Sequence, residues 1–250
     1  MSSSNRSCMP LLSSRGFTLV ELAISLMVIG LLLGGVLKGR ELIENVKTTS
    51  VMKQLKSYDA ASVVFLERYG GLPGDTSNAS SISAISSLYN SGNNDGIVGG
   101  VMTGDNGTIR SNKEEEICRF FTHLSQAKLI EEQFGGGMIC YTDPTHEFAR
   151  RLFPATPFMN VLVSLKAMGN TVSSLTAIED FTPFTHYYNM TPMSIMHAHA
   201  FDKKFDDGYS RSGNVILVPN TVCSDNNGVY NLQSGNPQSG SCHLLIRASF

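Results

Sequence analysis

Catalytic signatures are scarce in this 250-residue sequence. It has no phosphate-binding P-loop, no G-x-S-x-G nucleophile turn and no dinucleotide-binding glycine fingerprint. His146-Glu147 lacks the second histidine of H-E-x-x-H. His197 and His199 stand two apart, so on a helix they point away from each other and cannot clamp one metal. His123, His186 and His243 are isolated and read as core or surface residues. No C-x-x-C pair or close Cys/His spacing supports zinc. Basic runs are missing too: 19 Lys and Arg face 21 Asp and Glu without a cationic block, so no nucleic-acid partner is expected. Finally, no proline falls between Phe17 and Tyr69, which leaves a long helix uninterrupted.

What is present is an apolar run from Phe17 to Leu37 with one formal charge, Glu21. As a helix it would span roughly 30 Å, the thickness of a bilayer's hydrocarbon core. A plain signal anchor accounts for the length but not for the acid. An ionised carboxylate in a membrane helix costs a few kcal/mol and marks a function. Arg15-Gly16 directly before the run is also unexplained by an anchor.

Arg15-Gly16-Phe17-Thr18-Leu19-Val20-Glu21-Leu22 resembles the opening of the type IV pilins and type II secretion pseudopilins. The resemblance implies cleavage by prepilin peptidase between Gly16 and Phe17, then N-methylation of Phe17. An ordinary secretory signal is instead cut after its apolar region. Cleavage would free a positive amine at Phe17, one helical turn from Glu21. Two such charges are tolerable in an apolar layer only if paired. In the family the glutamate of an incoming subunit meets the amine of one already in the fibre; pairing within one chain is the alternative. The implied fold is α+β and pilin-like: a long N-terminal helix, apolar then amphipathic, packed on a C-terminal domain with a small antiparallel sheet. The implied partners are prepilin peptidase, other pilin or pseudopilin subunits, and an inner-membrane assembly platform. The implied location is the bacterial inner membrane, single-pass, with the head in the periplasm.

The expected division is a leader over 1–16, a membrane and assembly helix over 17–37, its amphipathic continuation over 38–69, and a head over 70–250. Loss of the leader removes Arg6, Arg15 and Cys8 and leaves a net charge of −4. Cys118, Cys140, Cys223 and Cys242 then remain, and an even set in an exported chain suggests two disulfides. Of three connectivities, the sequence-local pairs 118–140 and 223–242 are the expectation. Charge counting points the other way on topology. Lys38, Arg40, Lys47, Lys53 and Lys56 follow the span, so the positive-inside rule alone would leave the head in the cytoplasm. The leader motif and the cysteines outweigh it.

Along the chain, helix formers continue past Leu37, with Leu55, Tyr58, Phe65, Leu66 and Tyr69 as one stripe. Gly30, Gly34, Gly35 and Gly39 sit in or beside the apolar half, where small residues permit flexibility or close helix approach. Gly70-Gly71-Leu72-Pro73-Gly74-Asp75 should end the helix. A loop with one short helix near 79–89 is expected over 74–112. A second helix is expected over Lys113–Gln133, its start Glu114–Glu116 a solvated acidic turn, with Gly135–Gly137 ending it. Strands are expected at Met138–Thr142, Asn160–Lys166, Asn214–Val218 and His243–Arg247, with a helix capped by Thr191-Pro192 running to about Phe205.

No cofactor is required by these patterns. Calcium is the ion that the acids would suit, at Asp95 or at Asp202, Asp206 and Asp207. Asn93, Asp95 and Gly96 match places of an EF-hand loop, but Ser91 and Met102 fail its first and last positions. Asx-Gly turns explain both stretches more simply. The expectation is a structural fibre subunit, not an enzyme, of a type IV pilus or a type II secretion pseudopilus. The alternatives are a membrane-anchored exported enzyme and a DNA-uptake pseudopilin.

Overall fold

In the computed structural model of the protein, the described residues are 16–79, 92–99, 115–135, 149–158, 161–167, 186–218, 222–225, 227–232 and 242–250. The short helix expected near 79–89, the strand expected at Met138–Thr142, and His146-Glu147 lie outside them, apart from Ala79 itself. Contacts divide the chain into two compact units, Met1–Val46 and Lys47–Phe250.

The first unit is built on the start of α1, Leu19–Tyr69, one unbroken 51-residue helix. No described residue from Leu19 to Leu37 is buried. This stretch is long and apolar enough to cross a membrane, by length and composition.

The second unit begins inside α1, where the pattern becomes amphipathic. Val51, Leu55, Tyr58, Ala61 and Phe65 recur every three or four residues and are buried. Leu66, expected in this stripe, is 40% exposed, one position round the helix from Phe65. Gly70 ends α1 at φ 73°, with its N–H donating to the Leu66 carbonyl at 2.8 Å. Helix α2, Glu115–Gln126, sets Ile117, Phe120, Phe121 and Leu124 into the same core. It stops well before Gln133. Lys128 takes φ 56°, its N–H donates to Ser125 O, and Leu129 N–H donates to Leu124 O. That is a Schellman close with lysine where glycine is usual, so the expected glycine stop at 135–137 was the wrong signal. A short α3, Ala149–Leu152, follows.

Four strands form one antiparallel sheet in the order β1-β2-β4-β3: β1 Leu162–Ala167, β2 His186–Met193, β3 Val215–Leu217 and β4 Cys242–Arg247. Leu165 pairs with Tyr188, Tyr188 with Ile246, and Ile246 with Val215. Period-two alternation therefore puts Val163, Leu165, Tyr188, Met190, Leu244, Ile246, Val215 and Leu217 on the face that joins α1 and α2 in the core. Tyr187, Ile216 and Leu245 fall on the other face and are buried as well.

Strand β2 replaces the expected helix start. Thr191-Pro192 is a cis peptide inside β2, in the irregular step between Met190 and Met193. Helix α4, Ile195–Phe205, starts after it, capped by Ser194, whose Oγ accepts from His197 N–H. The result is an α+β, pilin-like architecture: a long N-terminal helix and a small antiparallel sheet.

Candidate functional site

The start of α1 is a capped helix end. Thr18 C=O accepts the first helical bond, from Leu22 N–H at 3.2 Å, and Thr18 Oγ1 accepts from Glu21 N–H at 3.2 Å. The hydroxyl in turn donates to Glu21 Oε2 at 3.5 Å. Thr-x-x-Glu is a capping-box spacing, a pattern visible in the sequence alone. Thr18 is thus the capping residue of this helix start, which attention to Gly16, Phe17 and Glu21 passes over. The acid also sits where the helix macrodipole favours negative charge. Phe17 is 76% exposed.

Among the described residues nothing demands a glycine at position 16. A Cβ built there would meet no atom within 4 Å. The same openness surrounds Gly30, Gly34, Gly35 and Gly39.

The head holds a second organised region, whose parts lie far apart in the sequence. Asp75, in the turn after α1, is buried; its carboxylate accepts from Asp95 N–H at 3.2 Å and Gly96 N–H at 2.9 Å. Glu116, expected in a solvated helix start, is buried; it accepts from Asn93 N–H at 3.1 Å and Gly99 N–H at 3.0 Å. His186 Nε2 accepts from Val98 N–H, and His123 Nδ1 accepts from Gly74 N–H, both at 2.9 Å. Residues 92–99 are thus held by buried side chains that satisfy their backbone donors. Gly92 and Gly74 make the close approach possible, since a Cβ at either would collide with backbone of Asp75 or Glu116. Burial raises both carboxyl pKa values against the bonds that lower them. Burial also depresses both histidines to about 4, assisted at His123 by Arg119 and opposed at His186 by Asp95.

The candidate calcium residues do not converge as one set. Asp95 belongs to this stapled loop, where Asn93 Oδ1 accepts its N–H and its own Oδ1 accepts from Ile97 N–H, an Asx-turn pattern. Asp202, Asp206 and Asp207 lie together, with one carboxylate oxygen of each within 4.8 Å of the others. Each already has protein donors. Asp202 accepts from Tyr230 Oη at 2.6 Å and Gly208 N–H at 3.1 Å, Asp206 from Val215 N–H at 2.7 Å, and Asp207 from Tyr209 N–H at 2.8 Å. This is how a helix end turns into strand β3, with Gly208 and Gly213 at φ 82° and 79°. Burial first, then the neighbouring acids, push Asp202 up to about 6 despite its hydrogen bonds.

Cys223 and Cys242 form a disulfide, as the local pairing expected. Cys118 is disulfide-bonded too, while Cys140 lies outside the described residues. His197 and His199 share no ligand position: His197 Nδ1 lies 2.8 Å from the helix-capping Ser194 Oγ, and His199 tilts against Tyr230.

No curated protein and no solved structure matches the chain. Residues 11–37 match the family model of the prokaryotic N-terminal methylation motif. The matched residues include the Gly16-Phe17 junction, the capped acid Glu21 and the exposed apolar helix, and the chain carries the prepilin signature of the type IV pilins and pseudopilins.

Proposed function

We propose that the chain is a structural subunit of a helical fibre, either a type IV pilus or a type II secretion pseudopilus. In this reading prepilin peptidase cuts between Gly16 and Phe17, and Phe17 is N-methylated. The first part of α1 then holds the subunit in the bacterial inner membrane, with the head in the periplasm. An assembly platform in that membrane adds it to a fibre of like or related subunits. The observation that carries the reading is the combination at residues 16–37: a bilayer-length helix with no buried residue, interrupted by one acid at a fixed place after Gly16-Phe17.

Glu21 is the assembly contact in this account. On the way to the fibre its carboxylate has the Thr18 hydroxyl and its own helix start. In the fibre it meets the charged amine of a neighbour's Phe17. Removing one member of a buried charge pair strands the other, at a cost of ~3–5 kcal/mol, enough to stop productive addition. Glu21→Ala should therefore accumulate in the membrane and fail to appear in the fraction sheared from cells. A tethered enzyme needs no such acid, and for it the variant inserts as well as wild type. Wild-type amounts in the sheared fraction would remove Glu21 from the assembly contact.

A further inference from the structure

The cations that follow the apolar run are not used by the fibre reading, and two of them border an unusual surface. Taking about 100° per residue, Leu42, Val46 and Ile43 fall at roughly 40°, 80° and 140° from Lys38 around the helix. All three are exposed, at 64%, 59% and 56%. Lys38 stands at one edge of this stripe, and Arg40, at roughly 200°, just beyond the other. Glu41 and Glu44 fall at roughly 300° and 240°, away from the stripe, with Glu44 about 40° beyond Arg40. The apolar stripe thus continues beyond Leu37 bordered by cations and backed by acids. At 1.5 Å per residue it starts where the hydrocarbon core ends and reaches through the headgroup layer.

We propose that Lys38–Val46 recognises anionic phospholipid headgroups, with Arg40 as the phosphate ligand and Leu42, Ile43 and Val46 as the apolar seat. This rests on the membrane-held reading above. Lys38 Nζ is engaged by Glu41 Oε2 at 2.6 Å, whereas Arg40 is exposed and has no ion-pair partner among the described residues. A guanidinium presents paired donors that match a phosphate, and its stem can lie along apolar surface while the head reaches the phosphate level. A second copy is the poorer occupant. Two parallel copies facing in register through this stripe would set Arg40 of one copy on the flank of Lys38 of the other, cation beside cation, with both acid sides turned away. An anionic lipid brings the complementary charge and acyl chains for the stripe. The same attraction gives the cations on the far side of the span a role that the positive-inside rule does not supply.

The test uses the full chain in phosphatidylcholine nanodiscs with spin-labelled phosphatidylglycerol or phosphatidylcholine as probe. The motionally restricted signal should favour the anionic probe by about fivefold, the effect of one cation at a membrane surface. The preference should shrink in about 0.5 M salt. Arg40→Gln should bring it close to parity, and Arg40→Lys should keep part of it. Parity in the wild-type chain overturns the proposal, as does an Arg40→Gln chain that keeps its preference. Disulfide-linked dimers of Ile43→Cys together with lipid parity would assign the stripe to a second copy instead. Failure of the membrane reading is visible separately, as release of the chain from cell membranes by alkaline carbonate.

Discussion

The two halves of α1 share one backbone and obey opposite rules. From Leu19 to Leu37 the helix is apolar on every side and none of its described residues is buried. From Lys47 to Tyr69 it is amphipathic, and Val51, Leu55, Tyr58 and Phe65 are at most 2% exposed. A helix that buries one stripe is completed by its own domain. A helix that is apolar all round and buries none of its described residues has the character of a membrane span. The difference separates the part of the helix that the head needs in order to fold from the part that, in the fibre reading, serves location and assembly. Mutations should divide along the same line.

The largest contrast is at Gly16. No atom of the described residues crowds it, so a larger residue there should leave the head unaltered while the leader stays on. Intact mass should show a precursor longer by the 16 leader residues, and normal-length protein would end the cleavage assignment. In the amphipathic half, Phe65→Ala removes a fully buried ring stacked on His123 and tilted against Tyr69. It should cost the head ~3–5 kcal/mol in denaturant unfolding, while Leu31→Ala in the exposed half leaves the same midpoint unchanged. A comparable loss from Leu31→Ala would erase the distinction.

Replacing Cys223 and Cys242 together by serine should cost ~3 kcal/mol on the chain-entropy model for a loop of this length. An unchanged midpoint would show that the loop is already ordered without the bridge. Glu116→Gln leaves one acceptor oxygen for the two backbone donors of Asn93 and Gly99. The cost should be ~1–3 kcal/mol, with faster hydrogen exchange at those amides than at α1 amides near Phe65. Equal protection throughout would mean the loop is not held by this carboxylate.

The smallest effect is on pH dependence. His186 is buried neutral with its pKa depressed to about 4 from 6.5, so the unfolded chain binds the proton first as pH falls. Its stabilising contribution is complete above pH 6.5 and lost as pH falls from 6.5 through 4, and His123 acts in the same direction. Asp202, raised to about 6 from 3.8, acts oppositely: its protonation favours the fold as pH drops through that interval. His186→Gln keeps an acceptor for Val98 N–H and removes the titration. Stability of this variant should fall less steeply between pH 6.5 and 4 than that of wild type. An identical slope would show that His186 does not titrate on unfolding.

Helices with a clean period are legible in the sequence, as are strands with a clean alternation. Val163 and Leu165 against Leu162 and Ser164 announce β1, and Ile117, Phe120, Phe121 and Leu124 announce α2. Strand β2 is not legible, because Thr191-Pro192 mimics a helix start and the strand's polar residues His186 and Asn189 are buried like its aromatics. The end of α2 is hidden because a lysine takes the left-handed position.

By itself the sequence determined several features that depend on neighbours along the chain. The Gly16-Phe17 junction, the placement of Glu21, the bilayer length of the apolar run and the Gly70 stop are properties of adjacent residues and of helical pitch. Only the tertiary structure decided which charged and polar groups went inside. Asp75, Glu116, His123 and His186 come from segments far apart in sequence, and each is buried because it accepts a backbone N–H that folding removes from water. An acid at a helix start looks the same in sequence whether it faces solvent or a loop. The loop that arrives from elsewhere in the chain makes Glu116 a staple.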